Sequence, residues 1–333
     1  MAKAVRMSDI AQKLNVSTVT VSKALAGKDG VSEELRTEIQ RIAEEIGYHK
    51  KSVNNGKMYT FGIITPHKYI EKGHSFYWTL YERAINWLSQ RGYIGILEII
   101  SDKNEQMLEL PQLIQADRID GIILMGNFSE EYCNLVEDSA IPMVMLDSFD
   151  ARYSRDTVIS DGYYGMYTMV NHLIQMGHRD IMYVGSVGET SSITDRYFGF
   201  CRAMIEAGIT VTSDMAIPDR DDDGKIEISM KDIKRMPTAF VCNCDSTAYI
   251  LMKLLKSEGI SIPEDVSIVG FDNFVLSELA DPQITTYAID IDRMAKEACR
   301  CLIRRLQHPD ENAHRIVVSG YLVFRDSVRS LKK

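Results

Sequence analysis

Between Ser17 and Lys23 the chain reads STVTVSK, short hydroxyl and aliphatic residues ending on a cation. On one short helix starting at Thr18, the residues Val21, Ala24 and Leu25 turn inward, while Thr18, Val19, Ser22 and Lys23 stay outside. Such a surface can approach the base edges of duplex DNA closely, and Lys23 can reach a phosphate. Catalytic spacings are missing. The chain has no G-x-S-x-G elbow and no G-x-x-x-x-G-K-[ST] loop, and its 7 His are scattered without H-E-x-x-H spacing. The chemistry to expect is binding, with no catalytic residue, no cofactor and no metal.

The elements that must position this helix flank it. Ser8 is expected to cap a first helix with Ile10, Ala11 and Leu14 on one face, and Asn15-Val16 makes a tight turn. Ser17 then caps the second helix, and the pair forms a helix-turn-helix. After a break at Lys28-Asp29-Gly30, Ser32 caps a third helix with Glu33 and Glu34 at its positive end and the stripe Leu35, Ile39, Ile42, Ile46. A small helical bundle without a ligand has the same periodicity; the exposed face of the second helix favours DNA.

The formal net charge of -9 looks wrong for a DNA-binding chain. Residues 1–57 carry 10 Lys and Arg against 7 Asp and Glu, a net +3, and the remainder carries 28 against 40, a net -12. The basic character is therefore local. The 6 Cys lack the paired C-x-x-C spacing of a zinc site and read as reduced thiols. The opening MAKAVRMSDI has no apolar leader core, and no window approaches a membrane span. A cytoplasmic protein with no membrane partner is expected.

From Phe61 the pattern changes to short apolar runs alternating with helical stretches. FGIIT, IGILEII, DGIILMG and PMVMLD read as buried parallel strands, with Leu80, Ala84, Trp87 and Leu88 facing inward from the helix after the first. A second series reads TVIS, IMYVG, AFVCN and VSIVGFD. Two doubly wound halves with a ligand cleft between them, near the C-terminal strand ends, are expected.

MSDIAQKLNVSTVTVSKALAG, followed by VSEELRTEIQRIAEEIGY, resembles the DNA-binding headpiece of the lactose-repressor/galactose-repressor (LacI/GalR) family. The family pattern is D-[IV]-A and then G-V-S-x-x-T-V-S-[RK]-x-L. SFYWTLYERAINWLSQRGY, GHRDIMYVG, DRYFGF, GISIPEDVSIVGFDN and YLVFRDSV extend the resemblance over nearly the whole chain, to a core like that of periplasmic sugar-binding proteins. It implies an all-α helix-turn-helix headpiece (residues 1–48), a linker (49–60) and an α/β effector-binding core (61–333). The core would divide into an N-subdomain of about 61–159 plus 290–317 and a C-subdomain of about 160–289 plus 318–333. The implied function is a transcriptional regulator, a repressor acting as a homodimer on operator DNA, whose affinity is modulated by a sugar or related metabolite. A transport-type solute-binding protein shares the core but has no use for Ser8 to Ile46.

Carried over by position, the resemblance makes Thr18 and Val19 the base-reading pair and Thr20 and Ser22 phosphate contacts; Lys23 replaces a more frequent Arg. In the cleft, Arg196 and Asp272 are implied as a donor fork and an acceptor that bracket vicinal hydroxyls. Phe76, Tyr77, Asn127, Asp147, Asp161 and Ser192 are further implied contacts.

Three departures stand out. Cys244 takes the place of an effector-contacting Asn. DRDDDGK stands where an aromatic often stacks on the ligand, either as a solvated loop or as an attractor of a cationic effector. HKKSVNNGKMY lacks the family's P-N-x-x-A-R-x-L hinge, with Lys50 and Lys51 at the Pro and Asn positions and a turn favoured at Asn54-Asn55-Gly56. Lys50, Lys51 and Lys57 are either a solvated tether or phosphate contacts, and a smaller operator bend than the family's is expected.

Overall fold

The computed structural model describes residues 7–14, 16, 17, 20, 21, 24, 31–45, 58–70, 76–221 and 224–332. Contacts divide the chain into a unit of residues 1–58 and a unit of residues 59–333.

In the small unit, helices Met7–Leu14 and Glu33–Glu45 close on a core of Ile10, Ala11, Val21, Ala24, Ile39, Ile42 and Ala43. These are the faces expected from the apolar spacing, because residues three and four apart share one side of a helix. The expected cap at Ser8 lies outside the described side chains. Val16 N–H donates to Ala11 O at 3.0 Å in the turn. Ser17 does cap, its hydroxyl accepting from Thr20 N–H at 3.0 Å, and the Ser32 hydroxyl accepts from Leu35 N–H at 3.3 Å. Arg36 ties the third helix to the second by donating to Ala24 O at 3.2 Å.

The large unit holds two six-stranded sheets. In chain order the strands are β1 (Thr60–Pro66), β2 (Ile94–Ile100), β3 (Gly121–Met125), β4 (Met143–Leu146), β5 (Thr157–Ser160), β6 (Ile181–Val184), β7 (Ala216–Ile217), β8 (Ala239–Cys242), β9 (Ser267–Asp272), β10 (Thr285–Ala288), β11 (Arg315–Val318) and β12 (Tyr321–Val323). The first sheet runs β11-β5-β4-β3-β1-β2 and the second β12-β10-β9-β8-β6-β7. All pairs are parallel except β10 with β12. In each sheet the order reverses beside the first strand of its half, β1 or β6, the place where such sheets leave a crevice at their carboxyl ends.

Two expectations need correction. TVIS, expected to open the second series, is β5 of the first sheet, paired with β4 and β11. Its fully buried run suits either sheet, and only pairing partners decide which. IGILEII is not a buried strand: β2 is an edge, with Ile94 and Ile99 exposed.

The chain crosses between halves after β5, after β10 and after β11, and one apolar cluster runs through both halves. Within the second half, helices Gly162–Gln175 and Ser191–Glu206 press together at Gly199, where a Cβ would strike Tyr163 O. That contact explains the glycine of DRYFGF. Among the described residues no helix is long and apolar enough to cross a membrane.

Candidate functional site

The carboxyl ends of the strands of both sheets converge on a cavity of about 290 Å³. The first half contributes Lys68 and Tyr69 from the turn after β1, Phe76 and Tyr77 from helix Phe76–Ser89, and Asp147 after β4. From the second half come Ser192 and Arg196 on helix Ser191–Glu206, Arg220 after β7, Asn243 and Cys244 after β8, and Asp272 at the end of β9.

Arg196 is the centre of the second wall. It is buried, donates to Asn243 O at 2.5 Å and to Asp272 Oδ1 at 3.1 Å, and its guanidinium carbon lies 4.0 Å from the centroid of the Phe271 ring. Burial opposes its charge, but Asp272 and Asp147 outweigh burial and its pKa rises. Burial pushes Asp272 up to about 6, with Arg196 pulling the other way and Asp147 adding to the rise. Asp147 accepts from the Tyr77 hydroxyl at 2.8 Å and is also raised, chiefly by burial. Each of these carboxylates sits on left-handed backbone, with φ of 60° at Asp147 and 106° at Asp272. L-residues seldom adopt such conformations, and they cluster at ligand sites.

Behind this wall lies a saturated polar network. Asp219, fully buried, accepts from Ser186 N–H at 2.8 Å, Asn243 Nδ2 at 2.5 Å and Thr247 Oγ1 at 2.6 Å. The Ser186 hydroxyl accepts from the backbone N–H of Asp219 and of Arg220, each at 3.0 Å, which anchors the start of the loop carrying Arg220. Asp245, also buried, accepts from Phe274 N–H at 2.7 Å and Thr286 Oγ1 at 2.7 Å, and burial pushes it up to about 8. Cys244 faces the cavity with its thiol 3.2 Å from the Thr247 hydroxyl, and burial raises it to about 11, so it remains a thiol. A neutral, weakly polar group there is suited to packing against a ligand, not to attacking one.

Phe76, Tyr77, Asp147, Ser192, Arg196, Cys244 and Asp272 thus line one cavity, whereas Asn127 and Asp161 do not. Asn127 hydrogen-bonds Tyr69 and so positions a residue that does line it. Asp161 caps helix Gly162–Gln175 by accepting from Tyr164 N–H at 3.1 Å. Sequence reasoning missed Lys68, Tyr69, Arg220 and Asn243. Arg220 stands inside DRDDDGK, where four aspartates outnumber it and Lys225. Tyr69 carried a faint signal: Gly126 at φ 88° ends IILMG, and a Cβ there would strike the Tyr69 ring.

On the headpiece, Ser17 is exposed, and its hydroxyl lies 2.8 Å from that of the partly exposed Thr20. Thr18, Val19, Ser22, Lys23, Lys50 and Lys51 lie outside the described residues.

Residues 6–51 match bacterial regulatory proteins of the lacI family, and residues 170–328 match a periplasmic binding protein-like domain. The chain is 28% identical to the HTH-type transcriptional repressor CytR of Escherichia coli (strain K12), over 98% of this chain and 97% of that one. It is 26% identical to the ribose operon repressor of Haemophilus influenzae, over 98% and 99% of the two chains. Among solved structures it superposes on a transcriptional regulator CelR–cellobiose complex with a TM-score of 0.72, at 21% identity over 97% and 99% of the chains. It also superposes on the lac repressor dimer bound to operator and the anti-inducer ONPF, with a TM-score of 0.67, at 20% identity over 98% and 100%. At those identities the two structures speak to the fold alone. Headpiece match, core match and full-length relatives agree, and the chain belongs to the lacI family of DNA-binding transcriptional regulators.

Proposed function

We propose that the cavity between the two halves is an effector site for a small polyhydroxylated molecule, whose binding alters operator affinity of a homodimeric repressor. The observation that carries this is Arg196 held against Asp272 at 3.1 Å, with Asp147 from the other half lining the same cavity. A fixed donor fork beside two acceptors can satisfy adjacent hydroxyls, which both donate and accept. The aromatic side chains Tyr69, Phe76 and Tyr77 offer apolar faces to the carbon skeleton. Because the carboxylates come from different halves, a ligand bridging them favours a closed arrangement over an open one.

In this reading residues 1–48 bind DNA, 49–60 link and 61–333 sense. Thr18 and Val19 read bases, Thr20, Ser22 and Lys23, with Lys50 and Lys51 in the linker, contact phosphates, and Ser17 starts the helix that presents them to DNA. A ligand-gated DNA-binding role requires no bond making, and the protein acts in the cytoplasm, where its operator is.

The test couples the two sites. Asp272→Ala is expected to abolish the effector's influence on operator affinity while leaving DNA binding by the free protein within about twofold. Linkage further requires operator DNA to shift effector affinity by the same factor. Equal effector affinity with and without operator, measured by titration calorimetry, would sink this reading.

A further inference from the structure

We propose that Arg220 and Lys68 form an oxyanion subsite in this cavity, so that the molecule it takes is a polyhydroxylated compound carrying a phosphate or a carboxylate. The inference rests on the cavity being the effector site and adds the class of ligand.

Arg220 is held for such a role. Its backbone N–H is anchored by the Ser186 hydroxyl at 3.0 Å, and its Nη1 donates to Gly224 O at 3.0 Å, which orients the fork. Its Nε is buried and, among the described residues, has no hydrogen-bond partner. The nearest carboxylate oxygen, Asp219 Oδ1, lies 3.8 Å from Nε, beyond hydrogen-bond reach, and accepts instead from Ser186 N–H, so Nε keeps a donor to offer. Lys68 reaches the cavity from the other half, exposed at its mouth, with its ammonium 5.4 Å from the Tyr69 ring and no acidic partner among the described residues.

Among the described residues none of the acids that line the cavity is hydrogen-bonded to either cation. Asp272 is paired with Arg196. Asp147 is engaged by Tyr77, and Glu189 stays exposed. Helix Asp245–Ser257 adds to the positive side: it starts at Cys244, which makes no side-chain cap bond, and Cys244 and Ser246 both line the cavity. A neutral sugar offers a guanidinium and an ammonium only uncharged hydroxyl acceptors, whereas an oxyanion accepts from both in charge-assisted bonds that better offset their lost hydration.

The full-length protein is titrated calorimetrically with inorganic phosphate and with the matched pairs ribose and ribose 5-phosphate, and glucose, glucose 6-phosphate and gluconate. Saturable, salt-suppressed binding of inorganic phosphate at millimolar concentration is expected, together with at least about tenfold tighter binding of an anionic than of its matched neutral compound. Phosphate and carboxylate sources separate between glucose 6-phosphate and gluconate. Arg220→Gln and Lys68→Gln should each weaken the anionic compound by about tenfold and the neutral one by less than about threefold. No saturable phosphate binding, equal affinity within the pairs, or an Arg220→Gln variant that keeps the preference overturns the subsite. If the anionic compound binds as expected but leaves operator affinity unchanged, the regulatory reading fails and the subsite stands. If a neutral sugar releases operator while its anionic counterpart binds no tighter than it does, the reverse holds.

Discussion

In the first half of the core, the side chains that reach the cleft are mainly aromatic. Tyr69 and Tyr77 have ring centroids 4.2 Å apart, and Phe76 meets Tyr77 edge-on. In the second half they are polar and backed by a buried network, from Asp219 through Asn243 to Arg196 and Asp272. Both halves have the same strand order around their switch points, and both end a strand on a left-handed aspartate. Yet Asp272 has an arginine partner and Asp147 only a tyrosine hydroxyl. One wall is preorganised for hydrogen bonding, and the other presents apolar faces that require no network behind them. Duplicated topology supplies two similar edges; side-chain chemistry makes them different tools.

The largest effect expected from this difference is on stability. Asp219→Ala removes the acceptor of three hydrogen bonds and should cost about 3–5 kcal/mol in urea unfolding. Asp147→Ala, which strands only the Tyr77 hydroxyl, should cost no more than about 1.5 kcal/mol. Equal losses would break the comparison.

A smaller effect concerns pH. Asp245 and Asp272 are pushed up by burial to about 8 and about 6, above the value of about 3.9 for an unfolded aspartate. Between those limits the folded chain holds more protons than the unfolded one, so their contribution to stability is present at low pH and is lost as pH rises from about 4 towards 8. Asp245→Asn should flatten that decline by about 1–3 kcal/mol between pH 5 and pH 8, because an amide stays neutral and the Thr286 hydroxyl can turn to accept from it. An unchanged slope would remove Asp245 from the network's pH dependence.

The smallest effect tests the aromatic wall. Tyr77→Phe keeps the ring and removes the 2.8 Å bond to Asp147; it should cost about 1 kcal/mol of stability and raise the Asp147 pKa further, read by carboxyl NMR titration. A loss as large as that from Asp219→Ala would mean that both walls depend equally on buried hydrogen bonds.

Much of this molecule was legible before any coordinates. Period-3.6 spacing placed Ile10, Ala11, Ile39 and Ile42 in the headpiece core, where they lie. Apolar runs marked β1, β3, β4, β6, β8 and β9. Motif position led to Arg196 and Asp272, which are bonded to each other. What failed to show were the residues brought in by loops. Lys68, Tyr69 and Arg220 precede or follow strands in segments with no periodicity, and their approach depends on distant partners such as Ser186 and Gly126.

By itself, then, the sequence determined the alternation of elements, the faces those elements bury and the basic headpiece set apart from an acidic core, because periodicity, capping and charge act over a few residues at a time. Only the tertiary structure decided which sheet β5 joins, that Asp161 caps a helix while Asp147 faces the cavity, and that the arginine of an acidic loop lines that cavity. Those outcomes depend on strand pairing and on buried hydrogen-bond partners tens of residues away in the chain. Local pattern carries no record of such partners, since any strand end bearing an aspartate looks alike until its neighbours are in place.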